Sequence, residues 1–393
     1  MPPRVLIVQP YIGPVGGGNA VTSWTLQALR DHFRITVACL ESFSSSGLNT
    51  AFGTSLRDTD FDIQVAPSRY LSLKKVIPTR GALFECNAVL AWARRLDRRQ
   101  KFDVLLCLQN EADFGRPGIQ YIHYPCWYLP RPESEMRWFH RLPGMLAAYR
   151  GICFGLSGAT LAGVQRNLTL CNSHFVAGRH RKVHGQPSVV VPPPVPGNFP
   201  HVEWHDRRAA IVGIGRFSDY KRWPWAVEAV DELRARGFDL GLTLIGQVGD
   251  LSEAAELGRL QTMAKSRPWF RILRALTREQ LAQEVAMHRY GLHAMEEEHF
   301  GIAVAELQRA GCIPFVHNSG GPPEIVGNRP ELIFRDPADA AAKIAAVLQS
   351  AELETELRNW TDSRRDVYSA ERFCSEMRGR VTEFAAGKQV SVR

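Results

Sequence analysis

Two cations and two carboxylates in the second half of the chain are spaced to hold an anionic ligand rich in hydroxyl groups. Arg216 and Lys221 stand close together in GIGRFSDYKR. Arginine offers a fixed fork of donors and lysine a mobile point charge. Both could close on a diphosphate and stabilise the charge that develops as a nucleotide leaves. Two solvated cations beside a turn would fit the same spacing. Glu298 and Glu306 follow in EEEHFGIAVAE. Ionised carboxylates accept from hydroxyl groups. If one helix held both, they would lie about two turns apart on nearly the same face. Glu298 would meet a sugar from the loop before the helix, and Glu306 the cis-diol of a ribose. A solvated acidic helix face is the plainer reading.

The first half holds a second set of candidates. Gly16, Gly17 and Gly18 follow an apolar run and precede a helical pattern. Without Cβ atoms the backbone can pass close to a ligand, and a helix N-terminus favours a phosphate. The spacing is neither GxGxxG nor GxxxxGK[ST], so it does not support a dinucleotide site or a P-loop. A plain loop remains open. His123 ends the apolar run of YIHYP, where it could bond a substrate hydroxyl and titrate near neutral pH, or simply pack in the core. His293, His299 and His317 gather near the acidic segment without HExxH spacing, and no metal is expected. In HNSGGPPEIV, the turn Ser319-Gly320-Gly321 could offer a nest of N–H groups to an anion, or be only a turn. Trp127 and Trp138 could stack on a sugar, insert in a lipid interface or fill a core.

The elements that would position these residues alternate strand and helix. Val5–Pro10, Ile35–Leu40, Asp103–Leu108, Ile119–Tyr124, Leu168–Ser173 and Ser188–Pro193 read as strands, with a helix over Ala20–Arg30 and another in NAVLAWARRLDRR. Pro192–Pro200 breaks the pattern and reads as a stiff, exposed connector. The alternation restarts with Ala209–Phe217 and ends with a helix over Gly301–Ala310 and a strand over Ile313–His317. Two doubly wound α/β domains facing an interdomain cleft are predicted. Their bounds are 1–195 for the first domain, 196–207 for the linker and 208–372 for the second, with a last helix over 373–393.

Length and composition agree with that division. A chain of 393 residues exceeds one ordinary core, and 45% apolar with 22% charged residues is globular. No run is long and apolar enough for a membrane span. The N-terminus lacks the pattern of a signal peptide, which predicts a cytoplasmic protein. Eight dispersed cysteines without a CxxC pair suggest buried thiols rather than a disulfide frame. Residues 1–200 carry 22 Lys and Arg against 12 Asp and Glu. That excess suits an anionic partner such as a phosphate-bearing acceptor or the inner face of a membrane, or only a solvated surface. No zinc finger, RNP motif or dense basic tract points to nucleic acid.

In their order, these motifs resemble the retaining glycosyltransferases of family 4, which have the GT-B fold. The residues that carry the likeness are Gly16–Gly18, Arg216 with Lys221, Glu298 with Glu306, Ala310-Gly311 before Pro314, and NSHF before VVVPPPV. YIHYP, GLHAMEEEHFGI and HNSGGP are also similar to stretches of the eukaryotic lipid-linked-oligosaccharide α-1,2-mannosyltransferases. The agreement fades in CWYLPRPESEMRWFHRLPG, the stretch expected to face an acceptor. The resemblance implies a nucleotide-sugar donor, GDP-mannose or a UDP-sugar, a glycan or glycolipid acceptor, and no cofactor. It implies that Arg216 and Lys221 hold the diphosphate, Glu298 and His123 the donor sugar, and Glu306 the ribose. Gly17 and Gly18 would approach the phosphates or the acceptor, and Phe300, Gly301 and Ile302 would offer backbone groups. A final helix crossing back to the first domain is also implied, with 373–387 as the candidate. Another GT-B transferase acting on a soluble acceptor, or a non-catalytic nucleotide-sugar or glycan-binding protein, are the alternatives.

Overall fold

The computed structural model describes residues 2–75, 82–125, 127 and 144–387. The chain divides into two compact units, Met1–Pro194 with Ala370–Arg393, and Val195–Ser369.

The first unit is built on seven strands: β1 (Arg4–Val8), β2 (Arg34–Cys39), β3 (Phe61–Val65), β4 (Val104–Cys107), β5 (Ile119–Ile122), β6 (Leu168–Cys171) and β7 (Val189–Val190). Their order is β3-β2-β1-β4-β5-β6-β7, parallel throughout. Helices α1 (Gly17–Leu29), α2 (Ser45–Phe52), α3 (Ala82–Gln100), α4 (Met145–Ser157), α5 (Leu161–Gln165) and α6 (His174–His184) lie between them in sequence. Successive strand residues point to opposite faces, and both faces are covered. Val5 and Ile7 join a core with Leu26 and Leu29 of α1, while Leu6 and Val8 join another with Val89 and Trp92 of α3. That double burial is why β1 reads as an unbroken apolar run.

The second unit has six strands: β8 (Arg208–Ile214), β9 (Gly241–Gly246), β10 (Phe270–Arg274), β11 (His288–His293), β12 (Ile313–His317) and β13 (Ile333–Phe334). Their order is β10-β9-β8-β11-β12-β13, again parallel. Its helices are α7 (Trp223–Ala235), α8 (Leu251–Ala264), α9 (Arg278–Ala286), α10 (Ile302–Arg309), α11 (Pro322–Ile325), α12 (Pro337–Gln349) and α13 (Ala351–Ser363). The last helix, α14 (Ala370–Ala385), belongs to the first unit and packs along α1. Phe373, Met377 and Val381 recur every fourth residue, one helical face, and each is buried in the core beneath α1. Burying each contributes roughly 1.5–3 kcal/mol.

Several expectations need correction. Helix α1 begins at Gly17, so two of the three glycines form its first turn, and Gly16 precedes it with φ of 94°. The proline-rich connector is not exposed throughout. Val195 and Pro196 are buried, Val195 enters the second unit's core, and the Pro196 carbonyl accepts from Arg278 at 2.6 Å. Strands β3, β10, β11 and β13 were not anticipated. β11 hides because it carries histidines. His288 is buried but satisfied, with Nδ1 at 2.7 Å from the Glu284 carbonyl and Nε2 at 2.9 Å from Thr243 Oγ1. Trp127 is a core residue, 5.0 Å from the Phe154 ring. Trp138, Cys126 and most of the stretch following YIHYP lie outside the described residues. The seven described cysteines are free thiols. No described helix is long and apolar enough to cross a membrane.

Candidate active site

In an open parallel sheet, ligands bind beyond the carboxyl ends of the strands where the strand order reverses. In the second unit that point lies between β8 and β11, and both candidate segments start there. Residues Gly215 to Lys221 leave β8, and residues Ala294 to Glu298 leave β11.

Tight backbone contacts shape the first segment. Gly213 and Gly215 make room for the buried ring of Trp223, and a Cβ on Gly213 would lie 2.6 Å from that ring. Trp223 Nε1 in turn donates to the Arg216 carbonyl at 2.9 Å. Lys221 is thereby set one residue before Arg222, which adopts a left-handed conformation with φ of 52°. The second segment mirrors it, with left-handed Glu297 (φ of 49°) just before Glu298. Such conformations are unfavourable for residues with a Cβ and persist where surrounding contacts hold them.

Lys221 and Glu298, distant in sequence, meet directly. Nζ lies 2.6 Å from Oε2, with the two side chains 13% and 19% exposed. His293, the buried last residue of β11, places Nε2 at 3.4 Å from the same oxygen. Burial alone would raise the Glu298 carboxyl pKa, but the Lys221 ammonium and the His293 imidazole outweigh it and hold it well below the usual range. Burial lowers the His293 pKa, against the pull of Glu298. An ionised carboxylate beside a neutral imidazole follows at neutral pH.

The turn at Ser319-Gly320-Gly321 serves this loop. The Gly321 N–H donates to the Glu298 carbonyl at 2.8 Å, and Ser319 Oγ accepts from the Glu297 N–H at 2.8 Å. A Cβ on Gly320, where φ is 84°, would lie 2.3 Å from the Glu298 carbonyl oxygen. Of the two readings left open for this turn, an anion nest and a plain turn, Gly321 fits the second, its N–H being used to buttress Glu298.

The remaining candidates are placed differently. Arg216 is half exposed. It reaches Glu253 of α8 at 3.1 Å and the Tyr220 hydroxyl, and makes no contact with either carboxylate of the pair Glu298 and Glu306. The Tyr220 ring stands between the cations, 5.7 Å from the Arg216 guanidinium carbon and 5.9 Å from Lys221 Nζ. Glu298 and Glu306 do not share a helix, because α10 starts at Ile302 after Gly301 with φ of 102°. Glu306 is buried in α10 and paired with Arg278. The Phe300 side chain is buried and packs edge-on against Tyr368, 5.3 Å between rings. Ile302 is half-buried at the start of α10.

In the first unit, Gly18 and His123 come together. A Cβ on Gly18 would sit 3.5 Å from His123 Nε2. That nitrogen donates to the Leu108 carbonyl at 3.0 Å, and the His123 and Tyr124 N–H groups both donate to Asn110 Oδ1. Gly17 is exposed. This cluster lies past the ends of β1, β4 and β5, beside that unit's own reversal of strand order.

The roles of His293, Arg278 and Tyr220 were not read from the sequence. His293 carried a weak signal as one of three histidines near the acidic run, and Arg278 carried none. Among the described residues, no group of three His, Cys, Asp or Glu could hold a metal ion.

Comparison with known proteins fits this geometry. The sequence profile described as "Glycosyl transferases group 1" matches residues 198–364. The mouse GDP-Man:Man(3)GlcNAc(2)-PP-Dol alpha-1,2-mannosyltransferase is 27% identical over 364 residues, covering 81% of this chain and 73% of that protein. The human protein of the same name is 26% identical over 223 residues, 52% of this chain and 45% of its own length. This chain thus spans less than half of the human relative. Among solved structures, Anabaena HepE in complex with UDP and glucose superposes with a TM-score of 0.67 at 12% identity, covering 97% of this chain and 99% of that one. The chain has the GT-B fold, two parallel Rossmann-like units, and residues 198–364 of its second unit match the glycosyl transferases group 1 profile.

Proposed function

We propose that this chain transfers a hexose, with GDP-mannose as donor, to a glycan or lipid-linked acceptor with retention of anomeric configuration. The observation that carries this reading is the Lys221–Glu298 contact beyond β8 and β11. Without a ligand, the two charges neutralise each other. The ammonium has three donors and spends one on Glu298. The others can meet a diphosphate, joined by Arg216 from the rim. Once a phosphate shares Lys221, the Glu298 carboxylate can accept from sugar hydroxyls beside the reacting carbon. Fixed cations at the leaving diphosphate then stabilise the charge that grows as the glycosidic bond breaks. Glu306 receives the ribose. The backbone of Phe300, Gly301 and Ile302, at the N-terminus of α10, which no side chain caps, faces sugar or phosphate.

The named donor of the human and mouse relatives supports mannose. Exposed Met145 and Ile152 on α4 support an acceptor with a lipid portion, met at the inner face of a membrane. The test is a thermal-shift panel of GDP-mannose, UDP-glucose, UDP-GlcNAc and UDP-galactose, followed by transfer assays. GDP-mannose should raise the melting temperature by mass action. Arg216→Ala and Lys221→Ala should each lower transfer by about 10²-fold or more. Response to a UDP-sugar alone would refute the mannose preference. Unchanged turnover in both variants would remove the cations from the site.

A further inference from the structure

Arg278 has no part in the motifs considered so far, yet it holds one of their carboxylates. It is the first residue of α9, whose start is fixed by a reciprocal cap between Thr277 and Gln280. Between β10 and that cap, Ala275 turns the chain through a left-handed conformation with φ of 52°. The turn delivers the guanidinium to α10. Nη1 donates to Glu306 Oε1 at 2.5 Å, and Nη2 donates to the Pro196 carbonyl at 2.6 Å. The fork therefore has two fixed anchors. Gly197 lies close behind it, where an added Cβ would stand 3.5 Å from Arg278 Nε.

The consequence lies at Glu306. Its side chain is 7% exposed, so a free rotamer search is closed to it. One oxygen is taken by Arg278, and Oε2 makes no hydrogen bond among the described residues. A carboxylate with one oxygen tethered and the other open is oriented before its ligand arrives. Lysine could neutralise Glu306, but a single ammonium on a flexible stem cannot reproduce a rigid fork with two anchors.

We propose that Arg278 is a positioning residue for the nucleotide: by tethering Oε1 it aims Oε2 of Glu306 at the ribose hydroxyls, and so sets the preference for ribonucleotide over deoxyribonucleotide. This rests on the placement of the ribose at Glu306. Arg278 acts through Glu306 and stays away from the reacting carbon. Its loss should therefore weaken donor binding and leave the chemical step nearly intact.

The test measures binding of GDP and UDP, and of their 2′-deoxy and 3′-deoxy forms, to the whole protein and to Arg278→Gln, Arg278→Lys and Glu306→Gln. A hydrogen bond to a charged group is worth enough that the native protein should bind the better ribonucleotide about tenfold or more tightly than its weaker deoxy form. Arg278→Gln should reduce that ratio to about threefold or less, and raise KM for the donor with kcat changed by less than about threefold. Arg278→Lys, which keeps the charge if the glutamine variant fails to fold, should give an intermediate ratio. Loss of the ratio in Glu306→Gln with full retention in both Arg278 variants would overturn the role of Arg278 alone. An undiminished ratio in Glu306→Gln, or no nucleotide binding by the native protein, would overturn the ribose placement and this inference with it.

Discussion

Removing the Lys221 ammonium while keeping its bulk, as in Lys221→Met, leaves Glu298 buried beside a neutral His293. At 2.6 Å and an effective dielectric constant near 20, the gross attraction lost is about 6 kcal/mol. Desolvation of both ions offsets part of it, and breaking such a pair from one side typically costs about 3–5 kcal/mol. Glu298→Gln strands the lysine instead. The double variant, with neither charge, should be more stable than the two single losses added together predict. Urea unfolding followed by tryptophan fluorescence, run as a double-mutant cycle, should give a coupling of at least about 2 kcal/mol. The pH dependence has a definite sign. In the native protein the Glu298 carboxyl is depressed, so its contribution is present above the unfolded value near pH 4.3 and is lost only below it. In Lys221→Met, burial dominates, so the Glu298–His293 pair takes up a proton at a higher pH than in the native protein. The native folded state holds His293 neutral and Glu298 ionised, and the two unfolded chains titrate alike at both groups, so the variant's folded state binds more protons and the gap between variant and native protein should narrow as pH falls. A coupling under about 0.5 kcal/mol, or a gap independent of pH, would refute the reasoning.

Three further expectations follow from single sites. Gly320→Ala forces a Cβ against the Glu298 carbonyl at a positive φ, and should cost about 2–4 kcal/mol and abolish transfer. Gly258→Ala, in the middle of α8 with open space around it, should stabilise by about 0.5–1 kcal/mol, as thermal melts of the two variants would show. Burial depresses the His288 pKa to about 4, so the unfolded state gains a proton first as pH falls below about 6.5. His288 should therefore subtract up to about 1.4 kcal/mol of stability per pH unit between there and pH 4, a slope that His288→Gln should lack in unfolding titrations.

What the sequence determined by itself was whatever rests on local pattern. Apolar runs such as Val5–Val8 and Ile211–Ile214 are legible because strands buried on both faces cannot alternate with polar residues. The order of Arg216, Lys221, Glu298 and Glu306 could be read, as could the glycines that let backbone pass close. Tertiary structure decided which of these residues meet. It joined Lys221 to Glu298, held Arg216 on Glu253, and gave Glu306 to Arg278, a residue without a motif. It turned the Ser319-Gly320-Gly321 turn into a brace for Glu298. It also placed histidines in a central strand, which local propensity disfavours and satisfied hydrogen bonds at His288 permit. The physical reason is common to all of these. A strand or helix follows from the burial pattern of its own few residues. A charge chooses its partner by distance across the folded chain, and that distance exists only after the sheet has brought the ends of β8, β11 and β12 side by side.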